Sequence, residues 1–533
     1  MDNKKALLNG GANILPVTAE DAAQGYAVFT GERLIAVTKR FENQNRRNAV
    51  FEILDRLKNY QAGKVCVVRG IRRTGKTTAI LHAIGKLIAD GVSADSVSYI
   101  TVTANPESSA GLAEAAKTAV LNILGTAPRE YIFIDEITNL PNILADLKMV
   151  SDVYALSKKI VLSGTDSYVW PLAATDALYG RMTPVDLTYM SFKEYCEVFP
   201  ARMNSLGKAE SVAHFCKFGG VLDRDDYAEL GSAFRSIQTS LVANIVSTVS
   251  RNKSDANIAH HIGALNGADR KQLATAAVVA ILTAANTQKI SGLSTQDKKI
   301  PELAANILTL AGESRDGQFR AEHIPQDIIA ALMSALIELN VFDMLPNLAR
   351  TTDTVQANGG MVYACHISSL YSTIIGAADA NLSLTGPAME NLILSQCVQF
   401  IRAKQRELYS EMSLDELEIG HCRYDQRMGE NNKTPEIDAV ITRRNMFGGV
   451  IFRCAVEIKT RETPDTALAK NFFLPSLEEA LGEVHRYIVV YMGETKTIRE
   501  VNYVSAYDFL SDMGEYITIN TNVVNSLFGG KYT

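Results

Sequence analysis

Few folds accommodate the stretch Val65 to Thr78, VCVVRGIRRTGKTT. It reads as a β-branched strand, a glycine-bounded loop and the first turn of a helix. Gly70, Gly75, Lys76 and Thr77 fit G-x-x-x-x-G-K-[ST] at every fixed position. Glycines permit loop conformations that a side chain blocks, so backbone N–H groups can turn inward as an anion nest. The helix from Thr77 to about Ala89 adds the positive end of its dipole. The expected phosphate-contacting set runs Gly70, Ile71, Arg72, Arg73, Thr74, Gly75, Lys76, Thr77 and Thr78. Lys76 is expected on the β- and γ-phosphates and Thr77 on Mg²⁺.

The surrounding text alternates strand and helix. Phe51, Leu54 and Leu57 mark a helix before the loop, and Val97 to Val102 and Ala110 to Leu124 read as a strand and a helix after it. Tyr131-Ile132-Phe133-Ile134-Asp135-Glu136 is then a buried strand ending in two acids, at the sheet edge where open α/β folds hold ligands. Asp135 is expected to order Mg²⁺ through water, and Glu136 to orient or deprotonate an attacking water. The alternative is a strand exit with solvated acids. Lys159 to Leu162 reads as the next strand and is followed by Ser163-Gly164-Thr165. Ser163 and Thr165 are candidates for contact with the γ-phosphate or the water, or else they cap the next helix. This alternation predicts a parallel, helix-covered sheet.

Composition excludes several classes. The 533 residues suit roughly three or four domains. With 47% apolar and 21% charged residues the chain is ordinary globular protein, and a net charge of −6 argues against bulk nucleic-acid coating. Seven scattered cysteines, none in C-x-x-C, read as reduced and mostly buried thiols. No signal peptide and no membrane-length apolar run is evident, which sets the expectation of a cytoplasmic protein.

GIRRTGKTT, YIFIDE, VLSGTDS, Gly180-Arg181 and Pro184…Ser191-Phe192-Lys193-Glu194-Tyr195 together resemble the prokaryotic AAA-type ATPases whose phosphate loop reads G-x-R-R-x-G-K-T. The spacing from Pro184 to Ser191 is longer than in the usual form. The resemblance implies an ASCE-type P-loop NTPase core with Walker A and Walker B motifs, ATP and Mg²⁺ as ligands, and ATP hydrolysis. Arg181 falls on the family's arginine, implying a γ-phosphate sensor or finger, in cis or across to a neighbouring copy. The alternative is a surface arginine in a linker.

Downstream, Ile324 to Leu339, Asn340 to Leu345, a turn at Asn358-Gly359-Gly360 and Met361 to His366 read as helix, strand, turn, strand. That is the text of a winged helix, which the family carries in this place. It serves either to bind DNA or as a packing module. His260-His261 lack partners at zinc-ligand spacing.

The last 150 or so residues read as a separate α/β domain. Asp438, Glu457 and Lys459 sit on adjacent predicted strands, with Glu457 and Lys459 on one face. Such a trio can bind Mg²⁺ and activate water, with Glu390 from a helix as a further ligand. The pattern resembles the PD-(D/E)xK nucleases; the alternative is an ion pair on a strand. The expected division is 1–45 as an extension, 46–200 as the ATPase core, 201–375 as a helical winged-helix domain and 376–533 as a restriction-endonuclease-like domain. Three functions stay open: an ATPase that moves these modules, an ATP-gated metal-dependent DNA endonuclease, and a nucleotide-controlled binding switch with an inactive nuclease-like domain. DNA and a second copy of the chain are the partners the resemblance admits, and no membrane is expected.

Overall fold

The computed structural model describes residues 15–42, 45–70, 74–104, 109–164, 178–219, 342–349, 362–366, 384, 386–410, 412–423, 436–464, 472 and 475–517. They divide into two compact units, one ending at Tyr189 and the other beginning at Met190.

The first unit opens with α1 (Ala19–Gln24). Thr18 accepts from Asp21 N and Asp21 returns a carboxylate to Thr18 N, a reciprocal cap that satisfies two donors of the first turn. The order continues β1 (Tyr26–Phe29), α2 (Gly31–Thr38), α3 (Asn48–Lys58), β2 (Val65–Arg69), α4 (Lys76–Ala89), β3 (Val97–Val102) and α5 (Ala110–Thr126). It closes with β4 (Tyr131–Asp135), α6 (Ile143–Asp152), β5 (Lys159–Gly164) and β6 (Met182–Asp186).

The sheet order is β1-β3-β4-β5-β2-β6. Every pair is parallel except β1 with β3. Parallel neighbours need crossovers, which the helices supply. Period-two alternation then divides the apolar residues between two cores. Cys66, Val68, Tyr131 and Phe133 pack on one face with Ile80 and Ile84 of α4. Val65, Val67, Ile132 and Ile134 pack on the other with Val120 of α5 and Leu147 of α6.

The sequence from Tyr26 to Thr38 reads as a short hairpin, but only its first arm is a strand. Leu34, Val37 and Thr38 are buried at helical spacing, so Gly31–Thr38 packs as a helix. The described part of 1–45 therefore supplies a strand to the sheet and side chains to its core.

The second unit begins with α7 (Phe192–Val198), α8 (Pro200–Met203) and α9 (Lys208–Phe218). Then come β7 (Phe342–Leu345), β8 (Val362–Cys365) and α10 (Gly386–Ser410). Phe192 N donates to Gln396 Oε1 of α10 at 2.8 Å, and Lys208 pairs with Asp508 at 2.7 Å. β7 and β8 form an antiparallel pair. The expected helix Ile324–Leu339, the Asn358–Gly360 turn and His260-His261 lie outside the described residues. Asn391 of α10 closes the β8 backbone, accepting from Cys365 N and donating to Cys365 O.

The remaining elements are β9 (Glu416–Arg423), β10 (Glu436–Arg444), β11 (Val450–Ile458), α11 (Pro475–Leu481), β12 (Arg486–Tyr491), β13 (Lys496–Ile498), β14 (Val501–Ser505), α12 (Ala506–Ser511) and α13 (Met513–Ile517). They build a mixed sheet ordered β13-β14-β12-β11-β10-β9. All seven cysteines are free thiols, and six are buried. Among the described residues no helix is long and apolar enough to cross a membrane.

Candidate functional site

The parallel strands β2, β4 and β5 end at one edge of the first sheet, and the site is built there. β2 delivers Gly70. A Cβ at this position would lie 2.4 Å from the Leu187 carbonyl oxygen, so only glycine lets the loop leave beside the end of β6. Gly75 adopts φ 90°, ψ 27°, the left-handed conformation that turns the chain into α4. Lys76 starts that helix with its side chain buried, and Nζ donates to the Gly70 carbonyl at 2.8 Å. The ammonium thus bridges the two ends of the loop. Thr74 is buried, and Thr78 continues the first turn of α4. Ile71, Arg72 and Arg73 lie outside the described residues.

One residue that motif reading missed holds the loop from behind. Arg47, buried just before α3, donates to Thr74 O at 2.5 Å and to Thr188 O at 3.0 Å. It ties the end of the phosphate loop to the chain leaving β6. No local pattern marks it, because its partners are backbone carbonyls 27 and 141 residues away.

Asp135, at the end of β4, is 1% exposed and accepts from four donors. Thr77 Oγ1 donates to Oδ2 at 2.6 Å and Tyr99 OH to the same oxygen at 2.9 Å. Ser163 Oγ and the Glu136 N–H donate to Oδ1. Such saturation offsets the cost of burying a carboxylate. Burial, reinforced by the Asp135 charge, pushes the Tyr99 hydroxyl well above the tyrosine range, so it stays protonated and keeps donating. Tyr99, on β3, was also missed by motif reading. Ser163, a candidate for the γ-phosphate, the water or a helix cap, donates to Asp135; Thr165 lies outside the described residues.

Glu136 has φ 57°, left-handed for a residue with a side chain, and starts a 3-10 turn over Ile137–Asn139. Left-handed backbone costs about 1–2 kcal/mol in a non-glycine residue. It takes Glu136 out of the strand's alternation directly after Asp135.

Arg181 stands elsewhere. Its carbonyl accepts from Val65 N at 2.8 Å, at the opposite end of β2 from Gly70. Five strand residues at about 3.3 Å each separate those levels by roughly 16 Å. Its Nε lies 3.0 Å from Asp152 Oδ1. The expectation of Arg181 as an in-chain γ-phosphate group is therefore corrected: the start of β6 carries it to the wrong edge of the sheet.

Thr77 and Asp135 offer the hard oxygens that suit Mg²⁺ alongside phosphate and water. They already share a hydrogen bond at 2.6 Å, which brings the oxygens a cation would draw on to one place.

In the second unit, β10 and β11 pair with Ala439 opposite Val456, which brings Asp438 and Glu457 to neighbouring positions. Asp438 Oδ2 accepts from Ile458 N at 2.8 Å. Lys459 Nζ donates to Glu457 Oε1 at 2.5 Å. Burial pulls the Lys459 ammonium down, but the carboxylates of Asp438, Glu457 and Glu390 outweigh it and hold Lys459 above its ordinary value. The four expected residues thus come together. Even so, among the described residues no three His, Cys, Asp or Glu side chains form a group that could hold a metal ion. Asp438, Glu457 and Glu390 surround Lys459, whose ammonium answers the acids in this structure.

Residues 62–196 match the model of a family described as an AAA domain. No curated protein matches the chain. Among solved structures, a Walker-type ATPase of Pyrococcus abyssi aligns at 14% identity with a TM-score of 0.31, over 63% of this chain and 97% of that one. A closed-state Hsp104 with ATPγS and casein aligns at 13% identity, over 54% of this chain and 53% of that one, with a TM-score of 0.26. An extended Saccharomyces cerevisiae Hsp104–casein complex aligns at 14% identity, over 53% and 52%, also with a TM-score of 0.26. This chain spans about half the length of those Hsp104 chains. The stretch bearing the phosphate loop, the acid pair and Arg181 is thus similar to an AAA domain.

Proposed function

We propose that the first unit binds ATP with Mg²⁺ and hydrolyses the bond to the γ-phosphate. The observation that supports this best is the Thr77–Asp135 hydrogen bond, 2.6 Å long, joining the end of the phosphate loop to the acid strand across the intervening β5. The AAA-domain match over 62–196 supports the same reading.

In this reading the backbone from Gly70 to Thr78 and the start of α4 receive the phosphates. Lys76 exchanges the Gly70 carbonyl for phosphate oxygens, so the loop is held by its own lysine until nucleotide arrives. Thr77 and Asp135 hold Mg²⁺, which when bound neutralises charge on the β- and γ-phosphates. Tyr99 and Ser163 fix the Asp135 carboxylate, sparing its reorganisation during the reaction. Glu136 accepts a proton from the attacking water. Only from a second copy of the chain could Arg181 reach a γ-phosphate. Coupling of hydrolysis to the helical and C-terminal modules, with DNA as their partner, rests on the sequence resemblance; stimulation of turnover by DNA tests it.

For the second unit we propose a non-cleaving role in which the charged trio, with its Lys459–Glu457 pair, stabilises the sheet; plasmid nicking in magnesium tests it. The experiment for the first unit is ATP turnover in magnesium buffer by the full chain and by Lys76→Ala. The variant is expected at background. Equal turnover by both proteins would defeat the proposal.

A further inference from the structure

Thr138 sits in the 3-10 turn that follows the acid pair, two residues beyond Glu136. It is 4% exposed, and among the described residues its Oγ1 has no hydrogen-bond partner. Buried hydroxyls are normally paired, so an orphan at a ligand-binding edge needs a reason. Burial alone gives none: a valine would fill the same volume without the cost of desolvating an oxygen.

The surroundings show where the hydroxyl stands. A Cβ added at Gly164 would lie 2.3 Å from Thr138 Cγ2 and 2.6 Å from Oγ1. The side chain therefore lies directly against the end of β5, and glycine is what makes the approach fit. That end of β5 lies between the ends of β4 and β2, hence between Asp135 and the phosphate loop. The neighbouring hydroxyl, Ser163 Oγ, is already committed to Asp135.

We propose that Thr138 is a positioning residue for ATP hydrolysis, its hydroxyl being kept for the water that attacks the γ-phosphorus. This rests on the ATPase reading above. The water oxygen forms the new bond to phosphorus, and the bond from phosphorus to the bridging oxygen breaks with its electron pair leaving on ADP. One water proton passes to the Glu136 carboxylate; the other stays on the attacking oxygen, which becomes part of the phosphate, and is held by a hydrogen bond to Thr138 Oγ1. Two acceptors on one turn then fix both protons and aim the remaining lone pair. Thr138 is covalently unchanged throughout.

The test compares the full chain with Thr138→Val and Thr138→Ser, measuring steady-state ATP turnover, nucleotide binding and thermal melting. Thr138→Val is expected to lower kcat by about ten- to a hundred-fold, the scale of a misaligned reactant, with KM and nucleotide affinity unchanged. Its melting temperature should be equal to wild type or higher, because an unpaired buried oxygen is gone. Thr138→Ser should restore turnover. Wild-type kcat in Thr138→Val overturns the proposal. So does a fall in kcat accompanied by lower affinity or melting temperature in both variants, which would mark a packing role. Absence of turnover in the wild-type chain defeats the ATPase reading itself and the proposal with it.

Discussion

Replacing Arg47 by methionine keeps most of the buried stem and removes the guanidinium that grips the phosphate loop from behind. Two donors are lost, one to Thr74 O and one to Thr188 O. Hydrogen bonds from charged groups contribute about 1.5–3 kcal/mol each, so the gross loss is about 3–6 kcal/mol. Removing a buried charge also removes its desolvation cost, which returns a sizeable part. The net destabilisation expected is about 1–3 kcal/mol. Because the lost contacts order the end of the phosphate loop, ATP binding must restore that order and is weakened by about five- to a hundred-fold. Calorimetric titration with ATP in magnesium buffer measures the affinity, and urea unfolding of the same samples measures stability. Wild-type affinity in Arg47→Met would refute the reasoning, whether or not the urea midpoint moved, since the clamp would then have nothing to do with the loop's competence.

Three further outcomes follow from the same contacts. Gly70→Ala places a Cβ 2.4 Å from a backbone oxygen, so either the loop or the chain after β6 must move; a loss of about 1–3 kcal/mol in thermal stability and weaker ATP binding are expected, and an unchanged melt would contradict the close approach. The side-chain hydrogen bond from Arg33 holds the Asp21 carboxyl at about 2, below its unfolded value near 3.9; the stabilisation is complete above about pH 4 and is lost as pH falls toward 2, so Asp21→Asn should flatten the urea midpoint against pH in that window. Lys459→Met leaves Glu457 without its ammonium and should lower the urea midpoint of the second unit, while wild-type protein nicks plasmid DNA in magnesium no faster than background; magnesium-dependent nicking lost in the variant would restore the cleaving role.

What could be read from the residues was local. The phosphate loop and the acid strand are contiguous stretches whose chemistry follows from spacing. The strand at Tyr131–Asp135 and the helix at Lys76–Ala89 stand where that spacing put them. Arg47 and Tyr99 were invisible because each acts on a partner far along the chain, and neither sits in a motif. Ser163 was found but its bond to Asp135 was not, since strand position alone does not say whether a hydroxyl faces a neighbouring carboxylate or a ligand. Arg181 shows the same limit from the other side. A motif match fixes its place in the chain, but the register of β6 against β2 decides which edge of the sheet it occupies. In the second unit the residues of the charged trio were identified and do converge. What spacing could not supply was the direct pairing of Lys459 with Glu457.

The central claim is that the sheet edge carrying the phosphate loop and Asp135 takes up a nucleoside triphosphate. Equilibrium titration of the full chain with ATP, with and without magnesium, measures that directly. A saturable, magnesium-strengthened affinity that is lost in Lys76→Ala is the expected result. No measurable binding by the wild-type chain at millimolar nucleotide would contradict it.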